Sequence, residues 1–286
     1  MKADARTKKE LREYASLDDD SIEERISTGL VDFKAGNRQC DVIDMCLGLV
    51  NSYRGVLWRG GRSLANGDQN GWVDVVGYSS MCVEAYTLYG IKTFSLAEDT
   101  ALAALLVSAT EDYRNELRQC LARNREDVDE AHVQYFAYWY LSGGELLKSA
   151  PKGPLRDLAR AGLDKALPDK LLYETCEFQV SNMGVRDDDG VEFIPFELIP
   201  VWWYALKKLR DERGLATPRP VHPLFDTPLS QFPDPMPEFD PKSDENFNRI
   251  LAIVESKAKE TKPTKGKGRK SPGKAPSKKT KSTSKS

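Results

Sequence analysis

Residues 42–57 read Val-Ile-Asp-Met-Cys-Leu-Gly-Leu-Val-Asn-Ser-Tyr-Arg-Gly-Val-Leu. Their apolar members Val42, Met45, Cys46, Leu49, Val50, Tyr53 and Leu57 fall at the three-and-four spacing that lays one stripe along one face of a helix. Gly60-Gly61 is expected to end that helix, and Ala65 to Gly71 reads as a loop because Asn, Asp and Gly favour turns and positive φ. The same spacing returns in Val75, Tyr78, Cys82, Ala85, Tyr86 and Tyr89, with a stop near Gly90. Two long amphipathic helices joined by a short turn set the fold class, and the rest of the chain extends the pattern in both directions.

Upstream, Ser21-Ile22-Glu23-Glu24 has the spacing of a capping box, which predicts a short helix carrying Ile22 and Ile26. Downstream, Ser95-Leu96-Ala97-Glu98 is a second capping box, followed by Ala101, Leu102, Leu105, Leu106 and Ala109, whose small members permit close packing. Val128, Ala131, His132, Tyr135, Phe136, Trp139 and Tyr140 form the most aromatic face in the chain, closed by Gly143-Gly144, and this helix is expected at the centre. Pro154 suits a first helical turn, with Leu155, Leu158, Ala159, Leu163 and Ala166 behind it. Pro168 breaks and restarts the pattern through Leu171, Leu172, Thr175 and Cys176, which gives out between Asn182 and Gly184. Val191 to Ile194 is either a short strand or a buried loop. Ile199, Trp202, Trp203, Leu206 and Leu209 define a further helix, with Lys207, Lys208 and Arg210 near its negative end and Gly214 as its cap.

Residues 214–243 hold eight of the sixteen prolines, too many for a helix or a central strand. Leu224, Phe225, Leu229, Phe232 and Phe239 are nevertheless too apolar for free solvent. An extended arm lying on the body satisfies both facts. Ser243-Asp244-Glu245 opens a last helix with Phe247, Ile250, Leu251 and Val254, and beyond Lys257 no residue can bury surface, so residues 257–286 are expected to be disordered. The sequence therefore predicts an all-α protein: an antiparallel helical array or bundle over residues 1–256, with a proline-rich arm at 214–243, a last helix at 244–256 and a disordered, Lys-rich C-terminal tail.

The chain has 286 residues and a near-neutral net charge of −2, which conceals two oppositely charged pieces. Residues 257–286 contain eleven Lys and Arg269 against Glu260, leaving the body at −13 and the tail at +11. The N-terminus is charged where a signal peptide would be apolar, and no apolar run approaches a membrane span, so a cytoplasmic protein without a membrane partner is expected. Cys40, Cys46, Cys82, Cys120 and Cys176 are odd in number and sit mostly in helical patterns, which reads as reduced thiols.

The residues offer little chemistry. There are two histidines: His132 reads as a core histidine rather than a catalytic base, and His222, between prolines, as a surface or packing residue. No HExxH, paired CxxC or calcium loop occurs. Gly143 to Ser149 lacks the second glycine of a P-loop, and Gly77-Tyr78-Ser79-Ser80-Met81 lacks the second glycine of a nucleophile elbow. No catalytic residue, cofactor or metal is expected.

Carboxylates cluster at Glu111-Asp112, at Glu126, Asp127, Asp129 and Glu130, at Asp187, Asp188 and Asp189 with Glu192 nearby, and through the arm from Asp234 to Glu245. They are either solvated helix faces or a surface for a basic protein, whose encounter an acidic field would accelerate. The tail has a similar pair of readings. Lys265, Lys267, Arg269, Lys270, Lys278 and Lys279 could displace counterions from a nucleic-acid backbone without reading sequence, or the tail could fold back on the acidic body as a solubilising appendage.

The helix ending in Phe136-Ala137-Tyr138-Trp139-Tyr140 and the segment Pro195-Phe196-Glu197-Leu198-Ile199-Pro200-Val201-Trp202-Trp203-Tyr204-Ala205-Leu206 resemble the all-helical immunity proteins of bacterial polymorphic-toxin and type VI secretion systems. The likeness covers residues 40–255 in layout and leaves out the basic tail. It implies a non-enzymatic cytoplasmic protein that neutralises a cognate toxin by occluding it, a nuclease being one cationic partner that the acidic body would suit. The alternative is a helical scaffold tethered to nucleic acid by the tail.

Overall fold

Asp18, not Ser21, starts the helix that the first capping box suggested: its Oδ1 accepts from the Ser21 amide at 2.7 Å and its Oδ2 from the Ser21 hydroxyl at 2.9 Å. A carboxylate at that position satisfies an orphan amide and faces the positive helix end, so Ser21 is drawn inside the first turn. The helix is also long rather than short. In the computed structural model, which describes residues 2–39, 42–89, 94–107, 115, 132–147, 150–183 and 196–260, the α-helices are α1 (Lys2–Ala15), α2 (Asp19–Gln39), α3 (Val42–Ala65), α4 (Gly71–Tyr89), α5 (Phe94–Leu106), α6 (His132–Leu141), α7 (Pro154–Ala161), α8 (Asp169–Asn182), α9 (Val201–Asp211) and α10 (Glu245–Glu260). Among the described residues there is no strand, and the protein is all-α. Val191 to Ile194, Cys40, Cys120 and the tail beyond Glu260 lie outside the described residues.

Helices α2, α3 and α4 pack as antiparallel neighbours, and glycine sets their register. A Cβ on Gly29 would stand 2.2 Å from the Ser52 amide nitrogen, and one on Gly48 would stand 2.2 Å from that of Phe33. Gly55 lies under Ile26 in the same way. Partners that fall in sequence on one helix as they rise on the other make α2 and α3 an antiparallel pair whose backbones touch. Gly60-Gly61 does not end α3 as expected. Both glycines are helical, Gly60 abutting Gly71 and Asp74 of α4 and Gly61 abutting the Tyr14 ring of α1. Arg59 donates to both oxygens of Asp74, at 2.8 and 2.9 Å, and fixes the α3–α4 register.

One contiguous core runs from Ala3 to Ile250. Helix α4 is buried on several faces, through Trp72, Val75, Tyr78, Met81, Cys82 and Ala85. Helix α6 is buried from Val133 to Trp139, as its aromatic content predicted. Trp202 and Trp203 are both buried, at 1% and 7% exposure. Cys46, Cys82 and Cys176 are buried free thiols, and burial pushes Cys46 up to about 12. Helix α7 ends at Ala161, so Leu163 is only half-buried and Ala166 is exposed rather than part of a buried face.

Helix α1 was not legible as a helix in the sequence. It packs on α3, α8 and the arm, and Arg6 reaches the α8 end, donating to the carbonyls of Ser181 and Met183. Its buried face contains Thr7 and Glu10 alongside Ala3, which leaves no apolar stripe to read. Among the described residues no helix is long and apolar enough to cross a membrane.

Candidate functional site

Helix α9 starts after Pro200 and buries Val201, Trp202, Ala205, Leu206 and Leu209, while Tyr204, Lys207, Lys208 and Asp211 remain along its open edge. Its base is locked to α8. The fully buried Gln179 amide donates to the carbonyls of Phe196, Glu197 and Ile199, and its oxygen accepts from the Trp202 indole at 2.8 Å. At the other end Gly214, at φ +66°, turns the chain back. The buried Arg210 guanidinium then donates to the carbonyls of Gly162, Asp164 and Ala216, at 2.7, 2.8 and 2.6 Å. A charge without a carboxylate partner is tolerated there because several carbonyl dipoles point at it.

The arm lies on the body as predicted, with three 3-10 turns at Pro223–Asp226, Pro228–Ser230 and Pro241–Ser243. Its first half is pinned by polar contacts. His222 is a buried packing residue: Nδ1 accepts from the Leu224 amide at 3.1 Å, so the neutral ring carries its proton on Nε2 and donates it to Glu177 at 3.0 Å. The Trp203 indole donates to the Pro218 carbonyl and Arg219 donates to that of Phe225. His132, the other histidine, is partly buried against the Phe178 ring.

The second half of the arm is held differently. Phe232 stacks on Tyr204 with centroids 5.0 Å apart and on Trp203 at 6.1 Å, and leans on Trp72 at 5.0 Å. Seven residues later Phe239 packs edge-on against Tyr53 and rests over Gly77, whose missing Cβ leaves it a seat. Between these two rings, Pro233-Asp234-Pro235-Met236-Pro237-Glu238 forms a strap that makes no hydrogen bond to the body among the described residues. Proline removes donors there, and the strap bends at a cis Asp234–Pro235 peptide bond.

Strap and α9 enclose two joined recesses. One, of about 780 Å³, is lined by Trp203, Tyr204, Lys207, Phe232, Asp234 and Met236 among others. The second, of about 390 Å³, reaches Val76, Ser80 and Leu106 below the strap. Tyr204, Lys208 and Met236 belong to both, so they form one open groove. Lys207 is neutralised internally by Asp211 at 2.5 Å, and this hydrogen bond raises its pKa. Burial first, and then the charge of Asp234, raise the Tyr204 phenol. Among the described residues, Lys208, Glu212, Asp234 and Glu238 make no ion pair within 4 Å. The groove thus presents an aromatic wall, the carboxylates of Glu212, Asp234 and Glu238, the Lys208 ammonium and the Arg219 guanidinium, beside the Lys207–Asp211 pair. That arrangement has the chemistry to bind a polar chain segment, through ring contacts and ion pairs.

Of the carboxylates singled out in the sequence, Asp234 and Glu238 of the arm line this groove while Asp240 and Asp244 cap the turns that follow, and Glu126, Asp127, Asp129, Glu130, Asp187, Asp188, Asp189 and Glu192 lie outside the described residues. Lys265, Lys267, Arg269, Lys270, Lys278 and Lys279 of the tail do so too. Sequence reasoning missed the pairing of Tyr204 and Lys208 with the strap. The apolar Phe232 and Phe239 in a proline-rich stretch were its only trace. Among the described residues no group of three or more His, Cys, Asp or Glu is placed to hold a metal ion. Compared with protein-family models, curated proteins and solved structures, the chain matches none.

Proposed function

We propose that this protein is a cytoplasmic immunity protein that binds and neutralises a cognate bacterial toxin by occluding it, without catalysis. The observation that carries the reading is the groove beside α9, whose aromatic wall is prebuilt and whose Glu212, Asp234 and Glu238 make no ion pair within 4 Å among the described residues. A net −13 over residues 1–256 supplies a long-range field that speeds encounter with a cationic partner such as a nuclease. Rigid rings then slow dissociation by filling desolvated contacts. The acidic clusters at 126–130 and 187–192 are further candidate contacts in this reading. Co-expression with the toxin encoded beside its gene tests this: the pair should co-purify and the cells survive, and death of cells carrying both proteins would overturn it.

The tail supports a second reading, a helical scaffold tethered to nucleic acid, because residues 261–286 carry ten positive charges and no acid. Deleting them separates the two. Toxin protection should survive the deletion, whereas salt-sensitive nucleic-acid binding should vanish.

A further inference from the structure

We propose that the groove between α9 and the strap is a self-association surface, whose occupant is the same groove of a second copy of this chain. The inference goes beyond toxin neutralisation, since it needs no other protein. It starts from the signs of the charges on the two walls. The α9 wall carries Lys208 and, just past the helix end, Glu212, while the arm wall carries Glu238 and Arg219. Lys208 and Glu238 line one recess together, and Glu212 and Arg219 line the other. Each couple is of opposite sign, yet among the described residues neither closes to an ion pair within 4 Å. The open groove holds them apart.

A two-fold axis running along the groove closes both couples. Rotation about that line turns two copies face to face and exchanges the sides of the groove, so each residue of α9 meets the arm residue that stood across from it. Lys208 then faces Glu238 of the second copy, and Glu212 faces its Arg219. Symmetry makes every such contact twice. The remaining charges are already served within one copy: Lys207 holds Asp211, and Asp234 lies near enough to Lys207 to help raise its pKa. Tyr204 and Met236 line both recesses and are half-exposed. The same axis lays Met236 of each copy toward Tyr204 of the other, a sulfur–aromatic contact that adapts to an irregular gap.

Charge also selects this occupant over the others. A segment of one sign is attracted by one set of groove residues and repelled by the other: Lys208 and Arg219 oppose the basic tail, and Glu212, Asp234 and Glu238 oppose a nucleic acid. A second copy meets both signs at once, because its groove is the complement of this one. Residues 1–256 carry −13, so two bodies repel each other at long range. The groove sets three cations, Lys207, Lys208 and Arg219, against four carboxylates, Asp211, Glu212, Asp234 and Glu238, and so presents a nearly balanced face for contact. Exposed ion pairs are individually weak and screened by salt. The dimer is therefore a reversible one of micromolar strength, and any partner that enters the groove must split it.

Sedimentation velocity of the full chain alone, followed from low to high micromolar concentration, tests the proposal without a toxin. The unaltered chain should pass from monomer to dimer. Lys208→Glu and Glu238→Lys should each weaken the dimer about tenfold, because each sets like charges face to face at two symmetric positions. The chain carrying both substitutions has the two signs exchanged between the walls, and should dimerise to within about threefold of the unaltered chain. That recovery also shows that neither single variant lost the dimer by failing to fold. A chain that stays monomeric, a dimer indifferent to the single variants, or a double variant no better than the singles would each overturn the proposal. So would the pattern of a bound tail, in which Glu238→Lys weakens association and Lys208→Glu strengthens it. A failed toxin-protection assay would leave it untouched.

Discussion

The α2–α3–α4 layer and the proline-rich arm are both buried against the same core, yet they are held by opposite means. In the helical layer, side chains are removed so that backbones can touch, at Gly29, Gly48, Gly55 and Gly60. In the arm, large rings are added, and Phe232 and Phe239 carry a segment that makes no hydrogen bond to the body among the described residues. Backbone contact leaves no room for rearrangement, because neither partner has a side chain that can turn away. Ring contact leaves a span between anchors free to border a groove. The groove exists because the second kind of packing begins where the first stops.

The largest effect should come from violating the first kind. Gly48→Ala would drive a Cβ into the Phe33 backbone at 2.2 Å, and it should destabilise by at least about 3 kcal/mol, the upper end of overpacking costs. Urea denaturation would register this as a lower midpoint at unchanged slope. Gly77→Ala is the matched control. It too lies within a helix, but its Cβ would meet Phe239 at 3.5 Å, an ordinary contact. It should be neutral or stabilise by up to about 1 kcal/mol through helix propensity. Similar losses from both would mean that the two regions do not differ in the way described.

Next comes Arg210→Met, which keeps the volume and removes the donors. It leaves the carbonyls of Gly162, Asp164 and Ala216 without their buried partner, and should cost about 2–3 kcal/mol. Phe232→Ala should cost less, about 1–2 kcal/mol, because the ring is only half-buried. Its consequence is local. Proteolysis should become faster between Gln231 and Phe239, while hydrogen exchange in α3 and α4 stays slow.

Most helices were legible because each core-facing stripe obeys the 3.6-residue period, and Trp139, Trp202 and Leu158 are buried where that period puts them. What failed was local chemistry with more than one use. Gly60-Gly61 has the composition of a stop, and only the presence of Gly71 and Tyr14 across the gap shows that it is a seat. Asp18 and Ser21 both suit a cap, and the carboxylate took the position. The site was less legible than the fold. Phe232 and Phe239 announced that the arm is anchored, but a groove between anchors depends on which face of α9 the returning chain crosses, and no periodicity encodes that. Lys207 and Lys208 look equivalent in sequence. Asp211 neutralises one and leaves the other.

Helix α1 bridges the two regions, packing on α3 and on the first 3-10 turn of the arm, and it supplies the smallest effect. Glu10 lies on its buried face at 6% exposure, where burial first, and then the charges of Glu197 and Glu13, raise its pKa above the usual 4.5. A carboxyl whose folded pKa is raised favours the folded state while it is protonated. That contribution is complete below 4.5 and is lost as the pH climbs through the raised value, so at neutral pH the ionised Glu10 works against docking of α1. Glu10→Gln removes the charge and keeps the shape. It should raise Tm by on the order of 2 °C at pH 7 and by nothing measurable below pH 4, a modest change on the scale set by domain size. A variant less stable than the parent at pH 7 would show instead that Glu10 anchors α1 as a carboxylate, and that the bridge belongs with the rigid helical layer rather than with the arm.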